Sequence, residues 1–279
     1  MTAPALRALP LRVLPAPLLA AARGLGGRRS GHLIERHARA YQHAWLQLVS
    51  GVFEPLFYLL AIGVGIGKLV GGVSGPGGAP VSYASFVAPA LLATAAANGA
   101  VFDSTFNVFF RLKYAKLYDA TLATPMGAGD VALGEIGWAL LRGGLYAIAF
   151  TMVMLAMGLV HSVWAVAALP VALLIGFGFA ATGMAATTFM KSWQHFEFVT
   201  VALLPMFLFS ATFYPLSVYP GPVRVIVEWS PLYQGVVLMR GLTLGVVGPG
   251  LLWHVAYLAL LGLAGLAVAG RRITRLLLR

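Results

Sequence analysis

The chain has 279 residues, 60% of them hydrophobic and 10% charged, with a formal charge of +11 and a mean hydropathy of +0.87. A soluble domain carries roughly 25% charged residues, so this composition excludes a water-soluble globule and implies an all-α, polytopic membrane protein with runs near the ~20 residues that span a bilayer. The basic residues gather at the ends of apolar runs and form no aromatic-interleaved groove, which argues against nucleic acid, and the absence of cysteine excludes disulfides and thiolate metal sites.

Residues 1–30 read as a basic, disordered arm. The stretch VLPAPLLAAARG imitates a signal peptide, but prolines break its short apolar core. An interfacial helix is expected over Gly31–Ala44, where HLIERHARAYQHAW alternates apolar and basic positions near helical spacing. Residues 31–279 are then expected to form one transmembrane domain of six spans. These run from about Trp45 to Lys68, Tyr83 to Phe110, Val131 to Gly158, Val163 to Met190, Phe196 to Pro215, and Gly250 to Gly270. GGVSGPGGAP, between the first two, reads as a flexible loop. The six histidines are scattered without a HExxH-type pair, and they read as interfacial or surface residues.

Topology follows from the Lys and Arg in the connections. With the N-terminus inside, fifteen of the nineteen fall on the inner side, and only Arg224 and Arg240 are outside. Both termini are thus expected in the cytoplasm. Arginine exceeds lysine fifteen to four, and Ala and Gly are abundant, as in a GC-rich bacterial gene; the membrane expected is the bacterial inner membrane.

The segment FFRLKYAKLYDATLATPMGAGD between spans two and three then faces the cytoplasm. Arg111–Leu122 reads as a short helix with apolar and charged faces. Pro125 stops it, and Gly127 and Gly129 permit the turn into span three. Such a helix suits docking in a groove on another protein; a plain solvated loop is the alternative. Beyond Pro215, prolines 220, 222 and 231 preclude one straight span. Val223–Trp229 and Leu232–Leu242 read as two short helices, either a packed re-entrant hairpin or an outer loop with interfacial aromatics.

Three charges fall within spans: Glu54, Asp103 and Arg142. Glu54 and Arg142 lie at similar depth, so an interhelical pair is expected, because an unpaired charge near the bilayer centre costs at least ~2.5 kcal/mol. Glu135 shares a helix face with Arg142. These charges are polar pins or a polar lining, or else an ion relay.

LATPMGAGDVALGE after a basic helix resembles the inner loop of type-2 ABC transporter permeases, in particular nodulation-factor exporter permeases and related drug and polysaccharide exporter permeases. FEPLFYLLAIGVGIG, YASFVAPALLATAAANGAVFDSTFNVFFRLK and LPMFLFSATFYPLSVYPGPVRVIVEWSPLYQGVVLMRG extend the resemblance from about Glu35 to the C-terminus. It implies an exporter half whose inner loop is a coupling helix docked on a separate ATPase subunit. Carried onto this chain, the coupling residues are Leu117, Tyr118, Asp119, Thr121, Leu122 and Pro125, with Glu135 at the foot of span three and Glu35–Tyr41 as a second contact. The resemblance also implies a second permease copy, identical or not, and a pathway lined by spans one, two and five. Phe102, Phe106, Phe207, Phe209 and Phe213 are its candidate wall, suited to an amphiphilic drug, lipid or glycolipid. The chain has no G-x-x-x-x-G-K-[ST] phosphate loop, so ATP and Mg belong to the partner and no cofactor is expected here. The rival readings are an ion-coupled secondary transporter using Glu54, Asp103 and Arg142, and a membrane enzyme of lipid or glycan assembly, for which His195 and Glu197 are the nearest approach to a catalytic cluster.

Overall fold

The computed structural model describes residues 29–41 and 53–277, and within them the chain is mostly helical. Helix α1 (Ser30–Tyr41) comes first, then α2 (Phe53–Val70), a hairpin of β1 (Gly72–Ser74) and β2 (Pro80–Ser82), and α3 (Tyr83–Lys113). A short α4 (Leu117–Leu122) leads to α5 (Ala128–Ala156) and α6 (Val163–Thr187). The chain ends with α7 (Phe196–Leu208), α8 (Gly221–Glu228), α9 (Pro231–Leu244) and α10 (Leu251–Leu277). Five of these helices, α2, α3, α5, α6 and α10, are long and apolar enough to cross a membrane. The expected arm up to residue 28, residues 42–44 of the expected interfacial helix and residues 45–52 of the first expected span lie outside the described residues.

Helix α3 is the hub. Its Ala-rich sequence leaves little side-chain bulk, so neighbours approach from several sides, and Val87, Ala88, Ala90 and Ala93 are wholly buried. It packs on α6, α5 and α9, and α6 in turn packs most extensively on α10. There the helix backbones nearly touch: a Cβ at Gly265 would lie 2.7 Å from the Ala181 carbonyl carbon, so only glycine fits. A π-helical turn at Asp103–Asn107 interrupts α3. The Ser104 carbonyl there accepts a bond of 3.1 Å from Thr187 Oγ1 on α6, which satisfies backbone inside the bundle.

Four sequence expectations are corrected. The fifth expected span does not run to Pro215: α7 ends at Leu208 after 13 residues, about 20 Å against a hydrocarbon core of about 30 Å. Pro205 lies inside that helix, Phe209 N–H turns back to the Pro205 carbonyl, and Ala211 has a left-handed φ of 54°. The GGVSGPGGAP loop is an antiparallel hairpin with Gly72 opposite Ser82, and its turn places Gly77 and Gly78 at φ of 75° and 81°. The helix expected over Arg111–Leu122 breaks at Tyr114–Lys116, where Lys116 takes φ 47°. Gly127 has ordinary extended backbone as the cap of α5, with its N–H bonded to Asp130 Oδ2 at 2.9 Å, and Gly129 lies inside the helix, so neither supplies a special turn. The two short helices expected after Pro215 form as α8 and α9.

Candidate functional site

Among the described residues, two clusters of paired charges interrupt the apolar interior. The first gathers at the α4 end of the bundle. Glu135, with a side chain 2% exposed, accepts hydrogen bonds from His37 Nε2 on α1 at 3.1 Å and from Arg111 on α3. A buried carboxylate requires such partners, because an unpaired charge in a low-dielectric interior is very costly. Tyr118 from α4 is buried beside this group. Its pKa is raised well above the usual phenol value, first by burial and then by the negative charge of Glu135. The phenol is therefore neutral, and its hydroxyl completes no well-formed hydrogen bond. Glu135 on α5 thus ties α1 and α3 to its own helix, with Tyr118 of α4 packed beside the group.

Helix α1 is fixed to α5 by shape as well as charge. Leu33, Ile34, His37 and Ala38 form its buried face, and the rings of His37 and Tyr41 approach Trp138 at 5.9 and 5.1 Å. Arg29 Nη1 donates to the Pro125 carbonyl at 2.6 Å, which joins the start of α1 to the α4–α5 turn. At Gly134 an added Cβ would lie 2.8 Å from Leu33 Cβ and 3.2 Å from the Ser30 carbonyl oxygen. Gly134→Val is therefore expected to lift α1 from α5. Overpacking costs about 1–3 kcal/mol, so tryptic cleavage after the exposed Arg39, followed in detergent, rises roughly five- to a hundredfold.

The second cluster borders a cavity. Arg142 on α5 pairs with Asp103 in the π-helical turn of α3 (Nη2–Oδ1 2.7 Å) and donates from Nη1 to the Tyr41 hydroxyl at 3.1 Å. Asn107 Nδ2 also donates to Asp103 Oδ1 at 2.7 Å. The expected Glu54–Arg142 pair is thus replaced by Asp103–Arg142. Glu54 and Arg142 border the same cavity without forming an ion pair, whereas Asp103, in the π-helical turn of α3, reaches the guanidinium. Glu135 likewise spends its charge on Arg111 and His37 rather than on Arg142. The cavity, of ≈ 550 Å³, lies between α2, α3, α5 and α7 and is lined by Glu54, Tyr58, Asn98, Phe102, Arg142, Phe207 and mostly apolar neighbours.

The remaining sequence candidates separate cleanly. On α4, Leu117 and Asp119 are exposed, as is Pro125 after it, whereas Leu122 is half-buried and Tyr118 and Thr121 are buried. Thr121 Oγ1 donates to the Leu117 carbonyl at 2.8 Å. Of the phenylalanines, Phe102 and Phe207 line the cavity. Phe106 instead stacks on Phe196 at 4.2 Å, Phe213 meets Phe207 edge-on at 5.1 Å, and Phe209 lies toward Tyr219. His195 bonds Ser192 Oγ at 2.9 Å within its own turn, and Glu197 is exposed beside it.

Two residues escaped the sequence reading. His37 was expected at the membrane interface or the surface but is buried; the apolar spacing of Leu33, Ile34, His37, Ala38 and Tyr41 places it on the inner face of α1. Arg240, counted as an outer charge, is buried on α9 and donates to the carbonyls of Phe86 (2.9 Å) and Thr212 (2.8 Å). No local motif announces it.

Residues 30–244 match the profile of a family described as ABC-2 type transporter. Three curated relatives share the name Nodulation protein J. That of Rhizobium leguminosarum bv. viciae is 29% identical over 246 residues, 88% of this chain and 93% of the relative. Those of Rhizobium leguminosarum bv. trifolii and Rhizobium meliloti are 32% and 30% identical over 203 residues, in each case 72% of this chain and 76% of the relative.

Proposed function

Because the chain belongs to the ABC-2 type transporter family, we propose that it is the membrane-spanning permease subunit of an exporter whose ATPase motor is a separate chain. The cargo in this reading is amphiphilic: a drug, a lipid, or a glycolipid or oligosaccharide. The permease pairs with a second copy, identical or not, in the bacterial inner membrane, and ATP and Mg act on the motor. Both termini face the cytoplasm, where α1 lies along the membrane surface. The irregular stretch after α7 completes a sixth crossing, and α8 and α9 form a re-entrant hairpin on the outer side.

The observation that carries this reading is the buried Glu135 cluster. It gathers three larger elements at one end of the bundle, and a small helix with half of its residues exposed packs its buried Tyr118 beside it. A motor that pushes on Leu117, Asp119 and Pro125 moves α4, and Tyr118, Thr121 and Leu122 pass that displacement inward. The closely packed cluster shifts as a unit because the Glu135–Arg111 ion pair cannot separate without exposing buried charge. The ATPase-coupling set therefore divides: one part touches the motor and the other anchors α4. Arg142 is held by Asp103 and Tyr41, an arrangement suited to pinning α3 to α5 rather than to passing ions.

The test is to extract the tagged chain in mild detergent together with its neighbouring ATPase. A stoichiometric ATPase subunit is expected with the wild type. Leu117→Glu changes only the exposed face and is expected to remove most of that subunit while leaving the amount of inserted permease unchanged. Recovery of the permease alone, with transport driven by an ion gradient, would sink the proposal.

A further inference from the structure

Two charged residues line the cavity between α2, α3, α5 and α7, and their states differ. Arg142 is neutralised by Asp103 and bonded to Tyr41, and its remaining Nε is buried without a hydrogen-bond partner. Glu54, by contrast, is solvent-accessible on the cavity wall and makes no ion pair or hydrogen bond with any described residue. It sits on a helix long and apolar enough to cross the membrane. An ionisable group in such a segment tends to face a cavity and to mark a functional pathway. The uncompensated charge presented to the cavity is therefore negative.

The walls add a second, independent observation. Tyr58, Phe102 and Phe207 surround the same space. Phe102 is 53% exposed and stacks on Phe106 at 4.9 Å, which leaves its other face open. Aromatic faces attract cations through the ring quadrupole, more strongly where water is scarce. A carboxylate among aromatic faces, in a volume of ≈ 550 Å³, is the chemistry of a cation-binding site within the size range of small-molecule pockets.

We propose that this cavity binds amphiphiles with a cationic centre, with Glu54 as counter-charge and the three aromatic residues as walls. Calling the ligand cargo rests on the permease reading above, whereas the binding itself requires no motor. The size also sets a bound, because a long oligosaccharide cannot be enclosed whole. Such a cargo places only a cationic headgroup or a compact segment in the cavity.

The test uses the purified full chain in a neutral maltoside detergent, without ATPase. Binding of radiolabelled tetraphenylphosphonium is compared with that of tetraphenylborate, which has the same shape and the opposite charge. The wild type is expected to bind the cation saturably and the anion at least tenfold more weakly. Glu54→Gln is expected to weaken cation binding at least tenfold, and Glu54→Asp to retain most of it. Gly99→Leu gives a separate check of location. Gly99 lines the cavity, and a Cβ there meets open space, so leucine fills the site without straining the fold. It is expected to abolish cation binding with an unchanged elution profile. Saturable competition by phosphatidylcholine would identify a lipid headgroup as the natural source of the cation, and its absence a free amphiphile. Equal binding of the two probes, or cation binding indifferent to Glu54→Gln or to Gly99→Leu, overturns the proposal. Loss of ATPase association alone would leave it standing and count only against the permease reading.

Discussion

Glu135→Gln is expected to yield a permease that inserts in the membrane yet melts well below the wild type and no longer links ATP hydrolysis to transport. Glutamine keeps the shape of the side chain but removes the charge that Arg111 and His37 face in a nearly dry environment. Breaking a buried pair by removing one partner costs roughly 3–5 kcal/mol, because the other charge is left uncompensated. Thermal unfolding in detergent measures the first effect, and ATPase and transport rates measured together give the second. A double variant, Glu135→Met with Arg111→Met, separates the two. Replacing both members of a buried pair by apolar groups is often close to neutral, so much of the melting temperature should return. If the cluster transmits the motion of α4, transport stays uncoupled even so. Full recovery of transport in the double variant would reduce the cluster to a structural fastening.

The second large effect is expected at Arg240. Its guanidinium lies over the Phe86 ring, 3.6 Å from the centroid, and bonds carbonyls from α3 and from the turn after α7. Three parts of the fold that meet nowhere in sequence are held by one planar group. Arg240→Met preserves much of the packing volume but leaves two buried carbonyls without donors, at about 1–3 kcal/mol each. Hydrogen exchange across residues 209–215 should accelerate by about one to two orders of magnitude for each lost bond that governs opening. Arg240→Lys is not expected to rescue it, because an ammonium neither stacks on the ring nor presents a flat fork of donors. Unchanged exchange in Arg240→Met would mean that α9 is held by its apolar contacts alone.

How much of this was legible in the sequence differs from element to element. Helices α3, α5, α6 and α10 each register as a long, predominantly apolar run, so length and composition suffice to find them. The two short helices after Pro215 were marked by their prolines. Helix α7 was overextended because hydrophobicity continues to Pro215 while the backbone leaves the helix at Leu208, and the partner that makes this acceptable, Arg240, lies 28 residues beyond the Thr212 carbonyl it bonds. The choice of Asp103 over Glu54 as the partner of Arg142 was hidden for a related reason. Depth along a span can be counted, but the direction in which a side chain points also depends on local winding, and the π-helical turn at Asp103–Asn107 changes that winding. On α4, the residues worth naming were evident, but their division was not. Tyr118 and Leu117 are neighbours on a six-residue helix, and only the position of Glu135 decides which faces inward.

The span of the Glu135 cluster also constrains how the protein is made. His37 and Glu135 are 98 residues apart, and Arg111 precedes Glu135 by 24. At about 5–20 residues per second, a ribosome takes about 5–20 s to reach Glu135 after His37. Throughout that interval α1 has neither the carboxylate nor the Gly134 surface that later receive it, and for its last 24 residues, about 1–5 s, Arg111 waits at the end of α3 without its anion. Biogenesis therefore has an obligatory order: α1 is translated first and docks only after the start of α5 is in place. Any slowing of insertion around residues 128–135 prolongs the time during which a basic, half-apolar α1 is available to lipids, chaperones and proteases.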